Sequence, residues 1–187
     1  MNRTAEIRNL LIALAVLCLV FGVGLIVRQR GHRDSARFSR DSLSNDSLRT
    51  VPDLSFADLN GRAIHTADYK NKVVLISFWA AWCVPCAEEV PQFMALQKKY
   101  QGQGLQVIGF SVDDDAQELQ SFYRKYQMNY PVVPSDLKLA EAFGGVLGLP
   151  TTFVIGRDSR IHAKHNGATD FSVLEQEVVA LLEGEQN

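Results

Sequence analysis

Residues 73–86 read VVLISFWAAWCVPC, and this stretch decides the fold class. Its first six letters, Val73 to Phe78, form a short apolar run that is partly β-branched, which is typical of a buried strand. Two cysteines, Cys83 and Cys86, follow closely and open a segment that is expected to be a helix. A strand that leads into a C-x-x-C pair at the start of a helix predicts a redox-active dithiol.

The position of Cys83 at the start of this helix predicts its chemical role. Unpaired backbone N–H groups and the helix dipole stabilise an anion there, and they lower the pKa of a thiol toward neutrality. Cys83 is therefore expected to be the attacking thiolate. Cys86 lies about one turn further along, where it can attack the mixed disulfide formed at Cys83 and release the reduced partner. Val84 and Pro85, between the cysteines, are expected to alter the relative stability of thiolate and disulfide.

The cysteine count argues against a disulfide framework and against a metal site. The chain has three cysteines, and the third, Cys18, lies within an apolar run. Two neighbouring thiolates supply only half of the ligands of a tetrahedral zinc site, and the histidines show no metal-ligand spacing to them. We therefore predict no metal and no bound cofactor. The reactive group is the redox-active pair Cys83 and Cys86 itself.

Further elements alternate along the rest of the chain. A helix is expected from the cysteines up to Tyr100, with a kink at Pro91 because proline removes a helix hydrogen bond. Asp113 to Asp115 are expected to cap a second helix, in which apolar and aromatic residues recur at helical spacing. The remaining predictions are strands at Leu105 to Ser111, Thr151 to Ile155 and Ile161 to Lys164, and a closing helix at Ser172 to Leu182. This order predicts an α/β fold in which helices flank a central mixed sheet, mainly parallel and ending in an antiparallel hairpin.

The amino-terminal part of the chain predicts a membrane anchor. Residues 10–27 carry no charge, and their length is close to the roughly 20 residues that a helix needs to cross a bilayer. Arg28, Gln29 and Arg30 follow in place of a small-residue cleavage site, which favours an uncleaved anchor over a cleaved signal. A polar, serine-rich stretch comes next and predicts a flexible linker. The predicted parts are a cytoplasmic segment 1–9, a transmembrane anchor 10–27, a linker 28–50 and one globular domain 51–187.

Charge is distributed unevenly along the chain. Residues 1–49 carry eight basic against four acidic residues, and the remainder carries eleven against seventeen. An acidic globular part argues against a nucleic-acid partner. Arginines flank the apolar run on both sides, and more of them lie on its carboxyl side than on its amino side. Taken alone, this distribution places the domain in the cytoplasm. Disulfide chemistry favours instead the periplasmic or extracytoplasmic side of an inner membrane, and the orientation stays open between these two arguments.

The motifs FWAAWCVPC, EEVP and GLPTTFVI together resemble the TlpA/ResA/CcmG-like group of membrane-anchored thiol:disulfide oxidoreductases, which have a thioredoxin-like fold. The resemblance extends from about residue 51 to the carboxyl end. It implies that Pro150 is cis and lies beside the dithiol, and that the backbone of Leu149, next to Thr151 in the loop, pairs with an incoming substrate strand. Trp82 is expected to flank the thiolate as part of an exposed apolar platform, and Trp79 to pack under the loop.

The resemblance also implies partners. Electrons would come from a membrane thiol donor and pass to disulfide-containing exported proteins, of which apocytochrome c is the familiar example in the family. No residue in the sequence selects apocytochrome c over other clients.

One departure from thioredoxin bears on proton transfer. Thioredoxin has a buried aspartate six residues before its first active-site cysteine, and here that position is Ser77. The membrane-anchored reductases of the family resemble this chain in placing a glutamate three residues after the second cysteine, which is Glu89. Glu89 lies one helical turn from Cys86, and partial burial would raise its pKa enough to let it accept the Cys86 proton. The neighbouring Glu88 is expected to be solvated.

The sequence favours a disulfide reductase over three alternatives. A disulfide-donating oxidase differs only in redox potential. A thiol peroxidase of this fold normally has a threonine three residues before its reactive cysteine, where this chain has Ala80, so we discount antioxidant activity. A redox-inert interaction module would not need an intact C-x-x-C at the start of a helix.

Overall fold

The computed structural model describes residues 50–113, 115–135 and 137–184. The predicted cytoplasmic segment 1–9, anchor 10–27 and most of the linker 28–50 lie outside these residues. No helix within the described ranges is long and apolar enough to cross a membrane. The elements are β1 (Ser55–Ala57), β2 (Ala63–His65), β3 (Val73–Trp79), α1 (Val84–Tyr100), β4 (Leu105–Ser111), α2 (Ala116–Tyr126), β5 (Val132–Pro134), α3 (Leu137–Ala142), β6 (Thr151–Ile155), β7 (Ile161–Asn166) and α4 (Phe171–Glu183).

The central sheet has five described strands in the order β5-β4-β3-β6-β7. β3 pairs in parallel with β4 and antiparallel with β6. β4 pairs in parallel with β5, and β6 and β7 form the expected antiparallel hairpin. The prediction of a mixed sheet is confirmed, but the expectation that it is mainly parallel is wrong, since half of these pairings are antiparallel. An apolar run shows that a strand is buried and carries no information about the direction in which it enters the sheet.

β3 lies at the centre of the sheet and is buried along its whole length. Successive side chains of a strand point to opposite faces. Val73, Leu75 and Trp79 therefore join a core that includes apolar residues of α1, α2 and α4. Val74, Ile76 and Phe78 join a second core on the other face, which is rich in phenylalanine. Burial on both faces explains why this strand is a continuous apolar run rather than an alternating one.

The helix predicted at the cysteines, α1, begins at Val84, directly after Cys83, and it continues through Pro91 to Tyr100. The strands β1 and β2 and the helix α3 were not predicted. β1 and β2 have three residues each and are largely exposed, so they lack the apolar signal on which the other predictions rest. β5 was also missed, because it has three residues and ends at Pro134.

The chain enters the described domain at the end of the sheet that is remote from the cysteines. Thr50 forms a bridge with Arg160, and the Val51 N–H donates to the Ser159 carbonyl at 2.9 Å. These partners follow β6, whose last residue, Ile155, pairs with Val74 near the start of β3. The cysteines follow the other end of β3.

Candidate active site

The two cysteines lie at the junction of β3 and α1. Cys83 is the N-cap residue of α1, and Pro85 stands in its first turn, where a missing N–H breaks no helix hydrogen bond. The Cys83 N–H donates to the Ala80 carbonyl at 3.1 Å, and the Cys83 carbonyl accepts from the Ala87 N–H at 3.1 Å. Cys83 and Cys86 form a disulfide. The carboxyl end of the central strand thus presents this disulfide at the amino terminus of a helix, where backbone N–H groups favour a thiolate.

Two exposed apolar side chains flank Cys83 in the chain and form an apolar rim beside a disulfide that is largely buried. The exposed fraction is 6% for Cys83 and 2% for Cys86, so the sulfur expected to attack is the less buried of the two. Beside them Trp82 is 64% and Val84 is 69% exposed. Trp79, by contrast, is buried in the core below the loop, as predicted. The exposed indole and valine offer an apolar contact surface at the point where a substrate disulfide must approach.

The loop before β6 lies at the same end of the sheet. The Leu149–Pro150 peptide bond is cis, as the resemblance implies. Thr151 pairs with Phe78 at the carboxyl end of β3, which places Pro150 beside the strand end that carries the cysteines. Thr151 is buried and its hydroxyl donates to the Gly148 carbonyl at 2.7 Å, so this side chain supports the loop. The structure therefore brings the C-x-x-C motif and the Pro150 loop together at one end of the sheet.

Glu89 is a buried carboxyl group on the first turns of α1. Its exposed fraction is 4%, and it follows Cys86 by three residues, which puts both on one face of the helix. One carboxyl oxygen, Oε1, accepts the Thr169 N–H at 2.6 Å. The other, Oε2, is buried and has no hydrogen-bond partner among the described residues. Glu89 therefore keeps an unused proton-accepting position on the helix face that carries Cys86.

The surroundings of Glu89 set its protonation. Burial raises the pKa of Glu89, while the hydrogen bond from the Thr169 N–H and the electrostatic effect of His165 partly oppose this rise. Tyr130 is buried, and its pKa is raised by burial and further by the charge of Glu89. His165 is itself held by the Glu177 carboxylate at 2.8 Å. The Glu89 carboxyl group can therefore exchange a proton, unlike a carboxylate that stays charged at the surface.

The partners of Glu89 could not be found from the sequence. Thr169 lies eighty residues away in the chain, and no local pattern links Thr169, Tyr130 or His165 to the C-x-x-C helix. The one available signal was the spacing between Cys86 and Glu89. The buried position six residues before Cys83 is Ser77, as the sequence states, so no carboxylate stands there.

We predict that Glu89→Gln makes the stability of the fold less dependent on pH. Because burial raises the pKa of Glu89 in the folded state, the contribution of this group to stability is complete below its unfolded-state pKa. That contribution is lost as the pH rises through the folded-state pKa. Glutamine can still accept the Thr169 N–H and has no charge to bury. The melting temperature of the variant relative to the unchanged protein should therefore increase between about pH 4 and about pH 7.

The same variant should resolve mixed disulfides more slowly, by about 10²-fold, since a general base is removed. Glu88→Gln is the matched control, because it removes the same charge from the adjacent, exposed position. It should change neither the rate nor the pH dependence of melting. Equal behaviour of the two variants in stopped-flow and melting experiments would show that Glu89 has no special role.

The region of Asp113 to Asp115 differs from the prediction. Asp115 caps α2 as expected, since its side chain accepts the N–H groups of Gln117 and Glu118. Asp113 does not take part in this cap. Its carboxylate accepts the Ala81 N–H in the loop that leads to Cys83. The Val112 N–H donates to the Trp79 carbonyl, so the contact between the ends of β3 and β4 continues past Ser111 and leaves Asp113 beside the loop.

The family of the chain follows from comparison with known proteins. The model of the AhpC/TSA family matches residues 48–164, which include both cysteines and the Pro150 loop. The chain belongs to the AhpC/TSA family. A thiol-disulfide oxidoreductase named ResA from Bacillus thuringiensis is 30% identical over 129 residues, which cover 68% of this chain and 74% of the relative. A ResA protein from Bacillus subtilis is 29% identical over 147 residues, 78% of this chain and 80% of the relative.

Solved structures of similar proteins have the same fold. A putative thiol:disulfide interchange protein DsbE from Chlorobium tepidum is 29% identical, with a TM-score of 0.69, and covers 74% of this chain and 99% of that chain. A putative thioredoxin from Neisseria meningitidis is 28% identical, with a TM-score of 0.68, over 74% of this chain and 93% of that one. The predicted thioredoxin-like fold is confirmed. This member of the AhpC/TSA family is a thiol-disulfide oxidoreductase with a C-x-x-C pair.

Proposed function

We propose that the protein is a membrane-anchored reductase that transfers electrons from a membrane thiol donor to disulfides in exported proteins. The observation that carries the reductase direction is the buried Glu89 carboxyl group one turn from Cys86. Its negative charge opposes the ionisation of a nearby thiol and so disfavours the reduced dithiol. Strong oxidants of this fold do the reverse, because they stabilise their reduced form.

In the first step, the Cys83 thiolate attacks one sulfur of the substrate disulfide. The substrate S–S bond breaks, a mixed disulfide forms at Cys83, and the other substrate sulfur leaves as a thiolate that takes up a proton. The helix amino terminus at Cys83 stabilises the attacking anion. The rim of Trp82 and Val84 receives the apolar side chains beside the substrate cysteine, and the Leu149 backbone, with Pro150 and Thr151 holding the loop, aligns its strand.

In the second step, Cys86 resolves the mixed disulfide. Its thiol passes a proton to the free oxygen of Glu89, and the resulting thiolate attacks the Cys83 sulfur. The Cys83–Cys86 bond forms, and the second substrate sulfur leaves as a thiolate. Two electrons have then moved from the dithiol to the substrate. A thiol donor returns the pair to the reduced state by the same exchange in reverse.

We predict a reduction potential below about −220 mV for the Cys83–Cys86 pair. The full-length chain, purified in detergent, would be equilibrated with glutathione or dithiothreitol buffers, and the reduced fraction would be counted by thiol alkylation and mass measurement. A value near the roughly −120 mV of a strong oxidant would assign disulfide donation instead.

The anchor at residues 10–27 and the exported client belong to the same proposal. An uncharged run of that length and a polar linker at 28–50 suit a domain that is kept near a membrane. Tethering raises the effective concentration of the dithiol toward partners held in the same membrane. We place the domain on the periplasmic or extracytoplasmic side, with apocytochrome c as a candidate client. Labelling of reduced Cys83 in intact cells by a membrane-impermeant maleimide tests this orientation. If Cys83 is labelled only after the cells are opened, the domain lies on the cytoplasmic side.

A further inference from the structure

The carboxylate of Asp113 holds the loop that carries the attacking cysteine. The Ala81 N–H donates to both of its oxygens, at 2.8 Å to Oδ1 and 3.0 Å to Oδ2. The Ser111 hydroxyl contacts Oδ2, and the Asp113 N–H donates back to that hydroxyl at 3.2 Å. Ser111 is completely buried at the end of β4. The Asp113 carboxylate is therefore held by both the Ala81 N–H and the Ser111 hydroxyl, at the carboxyl ends of β3 and β4.

The hydrogen bond from the Ala81 N–H to Asp113 differs from the other contacts of the loop. Within the described part of the chain, no other side chain forms a hydrogen bond with a backbone group of residues 80–83. The loop is held further by the hydrogen bond from the Cys83 N–H to the Ala80 carbonyl, by that from the Ala87 N–H to the Cys83 carbonyl, and by the disulfide. Asp113 also forms no ion pair with any described residue. Its charge therefore reaches the loop without a neutralising cation, two residues before the attacking sulfur.

We propose that Asp113 is a positioning residue that fixes the Cys83 loop and, through its negative charge, disfavours the Cys83 thiolate and thus the reduced form of the pair. An anion in a partly buried site acts more strongly on a neighbouring charge than it would in water. Its effect opposes that of the helix amino terminus. The balance of the two sets the equilibrium between dithiol and disulfide, whichever way electrons flow in the cell.

The test compares Asp113→Asn with Asp115→Asn in the full-length protein. Both variants remove one negative charge, and asparagine remains a good N-cap at 115. For Asp113→Asn we expect the equilibrium constant with glutathione to shift about three- to tenfold toward the dithiol. This equals about 15 to 30 mV, at about 30 mV for each tenfold change. The thiolate absorbance of the reduced variant should also appear at lower pH. Asp115→Asn should leave both readouts unchanged.

Three outcomes would overturn the proposal. Asp113→Asn and Asp115→Asn could give the same potential, which would exclude a specific effect of Asp113. A shift toward the disulfide would show that the charge argument has the wrong sign. A lower melting temperature with an unchanged potential and thiolate titration would leave Asp113 a structural role alone. Asp113→Ala, which removes both the charge and the acceptor for the Ala81 N–H, should shift the potential at least as far as Asp113→Asn.

Discussion

Cys86→Ser is expected to convert the protein into a trap for its own substrates. Cys83 can still attack a substrate disulfide, but a serine hydroxyl cannot displace the substrate from the mixed disulfide. Turnover should fall by at least about 10³-fold, as it does when a group of the reacting unit is removed. A covalent complex should accumulate in its place. Intact-mass measurement and non-reducing electrophoresis would detect it, and its peptide would identify the client.

Cys83→Ser is the matched control for this experiment, because it removes the other sulfur of the same pair. It should be equally inactive and form no covalent complex, since Cys86 is the more buried sulfur. Both variants should carry Cys18→Ser, because Cys18 is the only cysteine outside the pair. If the covalent complex accumulated with Cys83→Ser and not with Cys86→Ser, Cys86 would be the attacking cysteine and Cys83 the resolving one.

Phe78→Ala is expected to cost about 3 to 5 kcal/mol of unfolding free energy, the usual range for removing a buried phenylalanine. Phe78 is fully buried on β3, at the centre of the aromatic core. Its ring lies 5.2 Å from that of Phe110, 5.8 Å from Phe143 and 5.9 Å from Phe153, measured between centroids. Deleting it leaves three rings around a cavity. Urea unfolding followed by tryptophan fluorescence measures the loss.

Phe171→Ala is the control for this loss. Phe171 is half-buried at the start of α4 and contacts one ring, that of Phe93, at 4.9 Å. Its removal should cost less than about 2 kcal/mol, because less area leaves the core. The potential of the folded Phe78→Ala protein should stay unchanged, since Phe78 and the cysteines belong to different cores. Similar losses in both variants would show that the aromatic core is not the main source of stability.

Elements with a strong local pattern could be predicted from the sequence. β3 and β4 are apolar runs buried on both faces, and the cysteines and Pro85 mark the start of α1. The closing helix was predicted to within one residue at each end, since Asp170 caps it and Gly184 ends it in a left-handed conformation. These features are determined by neighbours in the chain. The same applies to the disulfide, whose two cysteines are three residues apart.

Features that depend on distant contacts could not be predicted. The register that brings Pro150 beside the cysteines came from the family resemblance, and no strand pattern contains it. Asp113 looked like a helix cap because it stands near Asp115, and only the end of the β3–β4 pairing shows that it faces Ala81 instead. The hydrogen bond that Glu89 accepts from the Thr169 N–H likewise joins residues far apart in the chain. In each case the sequence supplies a polar side chain, and the fold supplies its partner.

The entry of the chain at Thr50, opposite the disulfide, determines how the domain presents itself when it is held by its amino-terminal side. β3 separates the two ends of the sheet by about 20 Å, at about 3.3 Å for each residue. A molecule immobilised through that side on a bead or a sensor surface would therefore point its reactive face outward, into solution. Clients that diffuse freely would meet the disulfide directly. A client embedded in the same surface would be reached when the domain turns over, which the flexible linker predicted at 28–50 would allow.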